Sequence, residues 1–435
     1  MQLRLPTTVQ LEITENCNFR CQHCYRLEDA ERHFSDNPDD KVIRIATMLA
    51  DAQVYNIILT GGEPMTRPHL LENLTSLLSE KGCNVNINSN ITLLTESFID
   101  NFIRTDVRNI LVSCPSGNPD EYNAITKTRA FETFDRKLRM LTESGIHYSI
   151  NMVINRLNIG SVRKTAEYVR SIGATRFGAT PMSLNPLYPR KDLLLTNEDV
   201  RNMLYELRAI HDELGMEIDV MEALPKCAIP KEFVREGLFF TKRKCQAGLT
   251  TAAVSASGEV RPCTHNPKSY GNMLETPLED IWKTMGSWRD TSYIPDDCLD
   301  CALLSRCHGA CRINAMTQNG SLKGKDIWMT QMIKPEEVVR KSETRKLDAD
   351  TRVRFMRVSW KYRKETEGYT LVFGRNGRQV AMVNDEVLAL MENIGNKTMS
   401  IREIAMMGDA RPDDDNLNRV INHLVSRRIM TIEKR

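Results

Sequence analysis

Short runs of apolar residues alternate with longer amphipathic segments from about residue 9 to residue 220. The short runs have the length and composition of buried β-strands and lie at 10–14, 56–60, 84–88, 109–114, 148–154 and 176–181. Segments with the apolar spacing of helices lie between them, at 41–53, 96–105, 131–144 and 162–172. Thr95 and Ser161 stand where helix N-caps are expected. Six successive strand–helix units predict an α/β fold whose parallel sheet can curve into a partial barrel, with functional residues at the carboxyl ends of the strands.

The rest of the chain shows other patterns. Residues 227–311 are rich in cysteine, glycine, proline and aspartate, which is typical of a segment that needs metal to fold. Beyond a charged stretch, strands are predicted at 369–373 and 379–383 around a turn at 375–377, and helices at 386–394, 400–407 and 415–426. These patterns predict a partial barrel (1–222), a cysteine-rich domain (223–332), a charged linker (333–352) and a winged-helix α+β domain (353–435).

Composition limits the classes of protein that fit. The net charge of +2 gives no indication of binding to nucleic acid or to an acidic membrane surface. No apolar run approaches the ~18 residues of a membrane span. The first residues lack the apolar stretch of a secretory signal, so we expect a cytoplasmic protein. Structural disulfides are disfavoured there, and most of the 12 cysteines are grouped, which favours metal binding or redox chemistry.

Three of these cysteines, Cys17, Cys21 and Cys24, directly follow the first predicted strand. Thiolates at this spacing can hold three irons of a cubane iron–sulfur cluster and leave the fourth iron open to bind another molecule. The alternative is a zinc loop in which His23 completes four ligands.

The same three cysteines, with aromatic residues at Phe19 and Tyr25, resemble the signature of the radical S-adenosylmethionine (radical SAM) superfamily. The turn Gly61-Gly62-Glu63-Pro64, at the end of the second strand, resembles the superfamily's turn against the methionine amino group. The resemblance covers the six-unit region and implies a partial (β/α)6 TIM-like barrel, one [4Fe–4S] cluster and bound S-adenosylmethionine. One-electron cleavage of this cofactor would give a 5′-deoxyadenosyl radical that abstracts a substrate hydrogen, with a flavodoxin or ferredoxin as electron donor.

The resemblance also implies roles for individual residues. The expected cofactor-binding residues are Gly61, Gly62, Glu63, Pro64, Ser89, Asn90, Ser113 and Asn151. Glycine lets the backbone approach a ligand closely, and Glu63 can accept hydrogen bonds from an ammonium group. The run 113–117 departs from the superfamily's usual pattern, and its Cys114 is a candidate hydrogen-atom donor to a substrate radical, with burial in the core as the alternative.

A second set of cysteines resembles the auxiliary-cluster extension called SPASM. Its members are Cys245, Cys263, Cys298, Cys301, Cys307 and Cys311, with Gly258 five residues before Cys263. The resemblance implies two auxiliary iron–sulfur clusters, expected to be [4Fe–4S]. One would be held by Cys245, Cys263 and Cys311, and the other by Cys298, Cys301 and Cys307. The family's seventh, downstream cysteine is absent, so another ligand completes a cluster or an iron stays open; the candidates are Cys227, His308 and Asp326.

The last segment, 353–435, resembles the peptide-recognition element of ribosomal peptide biosynthesis, the fold of the pyrroloquinoline-quinone peptide chaperone (PqqD-like). In that family a leader peptide adds as a strand beside the third strand, here 379–383. A DNA-binding winged helix is the alternative, and the acidic loop 409–415 counts against it.

Together these features predict a radical SAM maturase that crosslinks a ribosomally made precursor peptide through a C–C, C–S or C–O bond. Three alternatives remain open. A redox-neutral epimerase would need a hydrogen donor such as Cys114. An enzyme acting on a small metabolite would leave the C-terminal domain without a role. A metal-stabilised protein that binds peptide or DNA without turnover would not need the open iron of the first cluster.

Overall fold

The computed structural model describes residues 3–25, 36–331, 346–355, 361–373, 380–427 and 429–433, with the backbone alone at 239 and 240. The predicted turn at 375–377 lies outside these residues. The chain forms two units: one is Leu5–Val339, and the other combines Met1–Arg4 with Arg340–Arg435. No helix among the described residues is both long and apolar enough to cross a membrane.

The first unit is built on a nine-stranded sheet with the order β7-β6-β5-β4-β3-β2-β1-β8-β9. Its strands are β1 (Thr8–Thr14), β2 (Asn56–Gly61), β3 (Asn84–Ser89), β4 (Asn109–Ser113), β5 (Tyr148–Ile154), β6 (Arg176–Pro181), β7 (Glu217–Asp219), β8 (Thr251–Ser255) and β9 (Val260–Arg261). All neighbouring strands are parallel except β9, which runs antiparallel to β8. The sheet contains all six predicted strands, so the prediction of an α/β core is confirmed.

The helices of this unit are α1 (Asp39–Asp51), α2 (Pro68–Glu80), α3 (Glu96–Arg104), α4 (Pro119–Thr126), α5 (Phe131–Glu143), α6 (Val162–Ile172), α7 (Asn197–Leu214), α8 (Lys231–Glu236), α9 (Leu278–Thr284), α10 (Leu304–Cys307) and α11 (Arg312–Asn319). The longer helices, such as α1 and α7, each bury one apolar face. Thr95 caps α3 as predicted, accepting a hydrogen bond from the Phe98 N–H at 3.2 Å. Ser161 occupies the N-cap position of α6 as predicted, but its hydroxyl donates to Glu121 Oε2 at 2.6 Å and makes no capping hydrogen bond.

Strand β8 belongs to the cysteine-rich part of the sequence, yet it extends the barrel sheet. It pairs in parallel with β1, with Val9 opposite Ala252 and Leu11 opposite Val254. These four side chains are fully buried. Cys245 and Cys263 lie before and after β8 in the sequence, so this pairing holds them near β1, the strand that precedes the first set of cysteines.

The second unit contains two three-stranded sheets, β14-β10-β15 and β11-β12-β13. Its elements are β10 (Arg352–Phe355), β11 (Lys361–Lys364), β12 (Tyr369–Phe373), β13 (Val380–Asn384), α12 (Asp385–Ile394), β14 (Thr398–Ser400), α13 (Ile401–Met407), α14 (Asp415–Ser426) and β15 (Met430–Ile432). They enclose a separate apolar core that includes Val353, Val372 and Ile401. Leu347, assigned to the linker from the sequence, is buried in this core, and its N–H donates to Asn418 Oδ1 at 3.0 Å.

Candidate active site

The loop with the first three cysteines follows β1 and is held against the end of α4. The backbone N–H groups of Arg20 and Gln22 donate to the carbonyls of Thr126 and Ile125 at 3.2 and 2.9 Å. The side chain of Phe19 is buried below the loop, edge-on to the Tyr122 ring. These contacts fix the loop at the carboxyl end of the first strand, where the sequence predicted it.

The three thiols form one electrostatic group. Burial raises the pKa of Cys17 to about 12, and the neighbouring Glu63 and Cys24 add to the shift, while the Phe19 N–H opposes it. Burial also raises the pKa of Cys21, with Cys24 and Cys17 as the next causes. Three soft sulfur donors on one short loop fit an iron–sulfur cluster, which would hold them as thiolates and displace their protons.

Glu63 lies at the centre of a buried polar network beside this loop. Its carboxylate accepts hydrogen bonds from the Ser89 hydroxyl at 2.8 Å and from the Asn90 N–H at 2.7 Å. Burial raises the pKa of Glu63 to about 7, against the lowering effect of these hydrogen bonds. The Asn90 amide also donates to Asn18 Oδ1 at 2.8 Å, which links the carboxylate to the cysteine loop. The structure therefore places Glu63, Ser89 and Asn90 in one network.

The two glycines before Glu63 allow the second strand to touch the cysteine loop. The Gly62 N–H donates to the Thr14 carbonyl at 2.9 Å, and the Glu63 N–H donates to the Asn16 carbonyl at 2.8 Å. A methyl group on Gly62 would overlap the Asn16 carbonyl and stand 2.7 Å from the Glu15 oxygen. Gly61 has φ +134°, a conformation that side chains rarely adopt. Pro64 follows them as the first residue of a short 3₁₀ turn.

The remaining predicted cofactor residues lie on β4 and β5. Ser113 is exposed at the end of β4, and Asn151 lies opposite it on β5. The Asn151 side chain accepts a hydrogen bond from the Thr180 hydroxyl at 2.7 Å. Cys114 is fully buried, its thiol donates to the Ser116 carbonyl at 3.4 Å, and burial raises its pKa to about 12. Its surroundings in this structure are those of a core side chain.

The second set of cysteines divides into two groups. In the first, the charge of Cys245 interacts with those of Cys263 and Cys311, and burial raises the pKa of Cys245 to about 11 and that of Cys263 to about 12. The carboxylate of Glu222 accepts a hydrogen bond from the Cys311 thiol. The Cys311 N–H donates to Asp326 Oδ2 at 3.1 Å.

The second group contains Cys298, Cys301 and Cys307, whose thiols also interact electrostatically. Which cysteines share a cluster stays a prediction from the SPASM resemblance. Soft thiol donors again fit iron–sulfur clusters. Among the described residues, no group of three or more His, Cys, Asp or Glu side chains has the geometry of a site for one metal ion.

Arg312 lies between the two groups. Its charge interacts with Cys311 and Cys245 of the first group and with Cys298 of the second. Its Nη1 donates to three backbone carbonyls, whereas Nε and Nη2 are buried without an acceptor among the described residues. These two nitrogens are available to donate to cluster sulfurs.

Sequence reasoning did not find Asn18, Glu222 or Arg312. Asn18 lies inside the first cysteine motif, so its position in the sequence could have identified it as a site residue. Arg312 directly follows Cys311, which is a weaker signal. Glu222 belongs to no motif and reaches Cys311 only because the chain folds back.

Two segments of the chain match known families. Residues 11–169 match the Radical SAM superfamily, and residues 245–309 match SPASM, an iron–sulfur cluster-binding domain. The AdoMet-dependent heme synthase of Methanosarcina barkeri is 24% identical over 329 residues, covering 72% of this chain and 93% of that protein. The PqqA peptide cyclase of Streptomyces rochei is 23% identical over 340 residues, covering 74% and 88%.

A similar fold occurs in a solved structure. Streptococcus suis SuiB bound to its precursor peptide SuiA superimposes with a TM-score of 0.60 at 19% identity, covering 74% of this chain and 75% of that one. The two family matches contain the first cysteine loop, the Gly61–Pro64 turn and five of the six auxiliary cysteines, with Cys311 just beyond. The chain is therefore a radical SAM enzyme with a SPASM domain, which uses S-adenosylmethionine, one radical-SAM cluster and two auxiliary iron–sulfur clusters.

Proposed function

We propose that this enzyme modifies a ribosomally made precursor peptide by crosslinking two of its residues. The observation that carries the proposal is the second unit, which among its described residues offers a sheet edge at β13 that cleavage of S-adenosylmethionine does not require. Its relatives include a protein named for cyclising a peptide and one solved with a precursor peptide bound. When bound, S-adenosylmethionine would supply a 5′-deoxyadenosyl radical that removes a substrate hydrogen, and the auxiliary clusters would accept the electron that crosslinking releases.

The chain's own residues would bind and position the cofactor. We infer that Gly61, Gly62 and Glu63 hold its methionine part, because the backbone there is closest to the cysteine loop. Ser89 and Asn90 hold the Glu63 carboxylate in place. The roles of Ser113 and Asn151 toward the ribose or carboxylate rest on their place opposite each other on neighbouring strands, at the end of β4 and within β5.

Strand β13 is the edge that suits a peptide. Within the described residues it pairs with β12 alone, and it contains no charged side chain. The opposite edge, β11, reads Lys-Tyr-Arg-Lys, and charges on an edge strand discourage further pairing. A leader peptide that added to β13 would use the unpaired backbone groups of that strand.

Proline substitutions in β13 test whether peptide binding at this strand is separate from cleavage of S-adenosylmethionine. Successive residues of a strand direct their N–H groups to opposite edges, so either Ala381→Pro or Met382→Pro removes an outward donor. With the precursor peptide, the wild-type enzyme should yield a product lighter by two hydrogens. We expect the outward-facing variant to bind peptide about tenfold more weakly, the effect of ~1.4 kcal/mol, and to cleave S-adenosylmethionine without peptide at the wild-type rate.

The same assay separates the competing functions. Equal loss of peptide binding and uncoupled cleavage in both proline variants would contradict a separate peptide-binding edge. A product whose mass is unchanged in H2O but which carries one deuterium when formed in D2O would indicate epimerisation, with Cys114→Ala as the variant to test. Haem formation without any peptide product would favour an enzyme that acts on a small metabolite. The similarity to the heme synthase is the reason to test for this product.

Arg312 is expected to raise the reduction potentials of the auxiliary clusters, because a buried cation stabilises the more negative reduced state. Arg312→Gln removes the charge, and Arg312→Lys retains it. We expect the Gln variant to lower the auxiliary potentials by roughly 60 mV, a tenfold change in a one-electron equilibrium, and the Lys variant to lower them less. Potentiometric titration followed by electron paramagnetic resonance (EPR) measures both. Equal shifts in the two variants would show that the charge is not the cause.

A further inference from the structure

Cys227 lies in a tight turn ahead of α8, far upstream of the SPASM cysteines in the sequence. The Ala228 N–H donates to the Pro225 carbonyl at 2.9 Å, which closes the turn. The side chain of Cys227 is partly buried. Neither family match includes this residue.

One approach places the turn beside the second auxiliary group, and a second set of contacts holds Cys227 in it. The backbone N–H of Lys226 lies close enough to the Cys307 thiol to lower its pKa, so the residue next to Cys227 lies beside a cluster ligand. From the other side, the Thr330 N–H donates to Cys227 Sγ at 3.4 Å, and its hydroxyl donates to the Cys227 carbonyl at 2.9 Å. A backbone N–H aimed at sulfur stabilises the thiolate form that a cluster needs.

The thiol of Cys227 interacts with the same cysteines. The thiols of Cys307, Cys301 and Cys227 all lie close enough to Cys298 for their charges to act on it. The charge of Cys227 also acts on Cys307. The sulfur atoms of Cys227, Cys298, Cys301 and Cys307 therefore lie close together in the fold.

The other two candidate ligands are engaged elsewhere. His308 Nε2 lies 3.2 Å from the Trp288 carbonyl. Asp326 accepts hydrogen bonds from the N–H groups of Cys311 and Trp328, at 3.1 and 3.0 Å, and so belongs with the first auxiliary group. The sequence contains no cysteine after Cys311.

We propose that Cys227 is the fourth thiolate ligand of the auxiliary cluster held by Cys298, Cys301 and Cys307. This cluster would then be ligated entirely by thiolates, although the downstream cysteine is missing. The other cluster, on Cys245, Cys263 and Cys311, would keep one iron without a thiolate. Thr330 lies downstream of Cys311 in the sequence, and its N–H and hydroxyl both donate to Cys227.

The test counts clusters that have only three thiolates. A [4Fe–4S] cluster with three cysteine ligands loses its fourth iron on mild oxidation and becomes a [3Fe–4S] cluster with an EPR signal of its own. The full chain carrying Cys17→Ala, Cys21→Ala and Cys24→Ala retains only the auxiliary clusters. After anaerobic reconstitution and ferricyanide treatment, this protein should show about one [3Fe–4S] cluster per chain, and the further change Cys227→Ala should raise the number to about two.

Two more variants keep the outcome interpretable. Cys83→Ala is the matched control, because Cys83 is a buried cysteine whose thiol donates to the Val54 carbonyl, and the number should stay at about one. If Cys227→Ala simply impairs folding, adding Thr330→Cys should not help. If Cys227 is a ligand, this neighbouring cysteine should return the number to about one. Two results would overturn the proposal: about two [3Fe–4S] clusters per chain while Cys227 is still present, or an unchanged number after Cys227→Ala. None of these readouts depends on a peptide, so failure of the proposed function would leave the result intact.

Discussion

Replacing Cys17, Cys21 and Cys24 together with alanine is expected to reduce formation of 5′-deoxyadenosine from S-adenosylmethionine to the level of an enzyme-free control. The three thiols are brought together on one anchored loop, and their charges interact. An iron left open by three thiolates is where S-adenosylmethionine would bind, and alanine offers the iron no ligand. The assay uses dithionite as reductant under anaerobic conditions and measures 5′-deoxyadenosine by chromatography.

Metal content distinguishes a specific effect from general damage. The wild-type protein should reach about twelve irons per chain, and the triple variant about eight, because the auxiliary clusters remain. Cys83→Ala should match wild type in both iron content and activity. If the wild-type protein binds zinc and forms no 5′-deoxyadenosine, the radical chemistry is wrong and a metal-stabilised binding protein takes its place.

The barrel could be predicted because strands such as β2 and β6 bury most of their residues on both faces. Such strands read as short apolar runs, and β2 and β5 were located to within a residue. Strand β8 was missed because its sequence, Thr-Ala-Ala-Val-Ser, is short and small, and its burial depends on pairing with β1. In the second unit, β10 pairs with strands that lie far along the chain, such as Arg352 with Ser400, and no local pattern marks this pairing.

In the candidate site, too, local motifs could be predicted and contacts between distant residues could not. The first cysteine loop and the Gly61–Pro64 turn are local motifs, and the spacing of their residues is enough to identify them. Glu222 lies next to Cys311 only in the folded chain. The two residues are far apart in the sequence, so no spacing of residues could have predicted this contact. Cys227 was one of three candidates in the sequence, and only the contacts of its turn with Cys307 and Thr330 separate it from the others.

Gly62→Ala is expected to slow cleavage of S-adenosylmethionine about 100-fold, because displacing a reactive geometry by ~1 Å can cost this much. The added methyl group would overlap the carbonyl of Asn16, which directly precedes Cys17. No flexible side chain can move aside, since the atoms in the way are backbone. The cysteine loop or the Glu63 turn must shift, and the hydrogen bond between the Glu63 N–H and the Asn16 carbonyl would be strained.

Gly160→Ala is the matched control, because Gly160 is exposed and a methyl group there would meet nothing within 4 Å. Overpacking at Gly62 should also lower the free energy of unfolding by roughly 1–3 kcal/mol, so thermal unfolding is measured for both variants. Loss of activity with an unchanged iron content would show that the turn positions S-adenosylmethionine after the cluster has formed. Loss of about four irons would show that the close contact is needed to assemble the first cluster. Wild-type activity in Gly62→Ala would mean that the backbone contact between the two loops is not required for the reaction, and the role assigned to the Gly61–Pro64 turn would have to be abandoned.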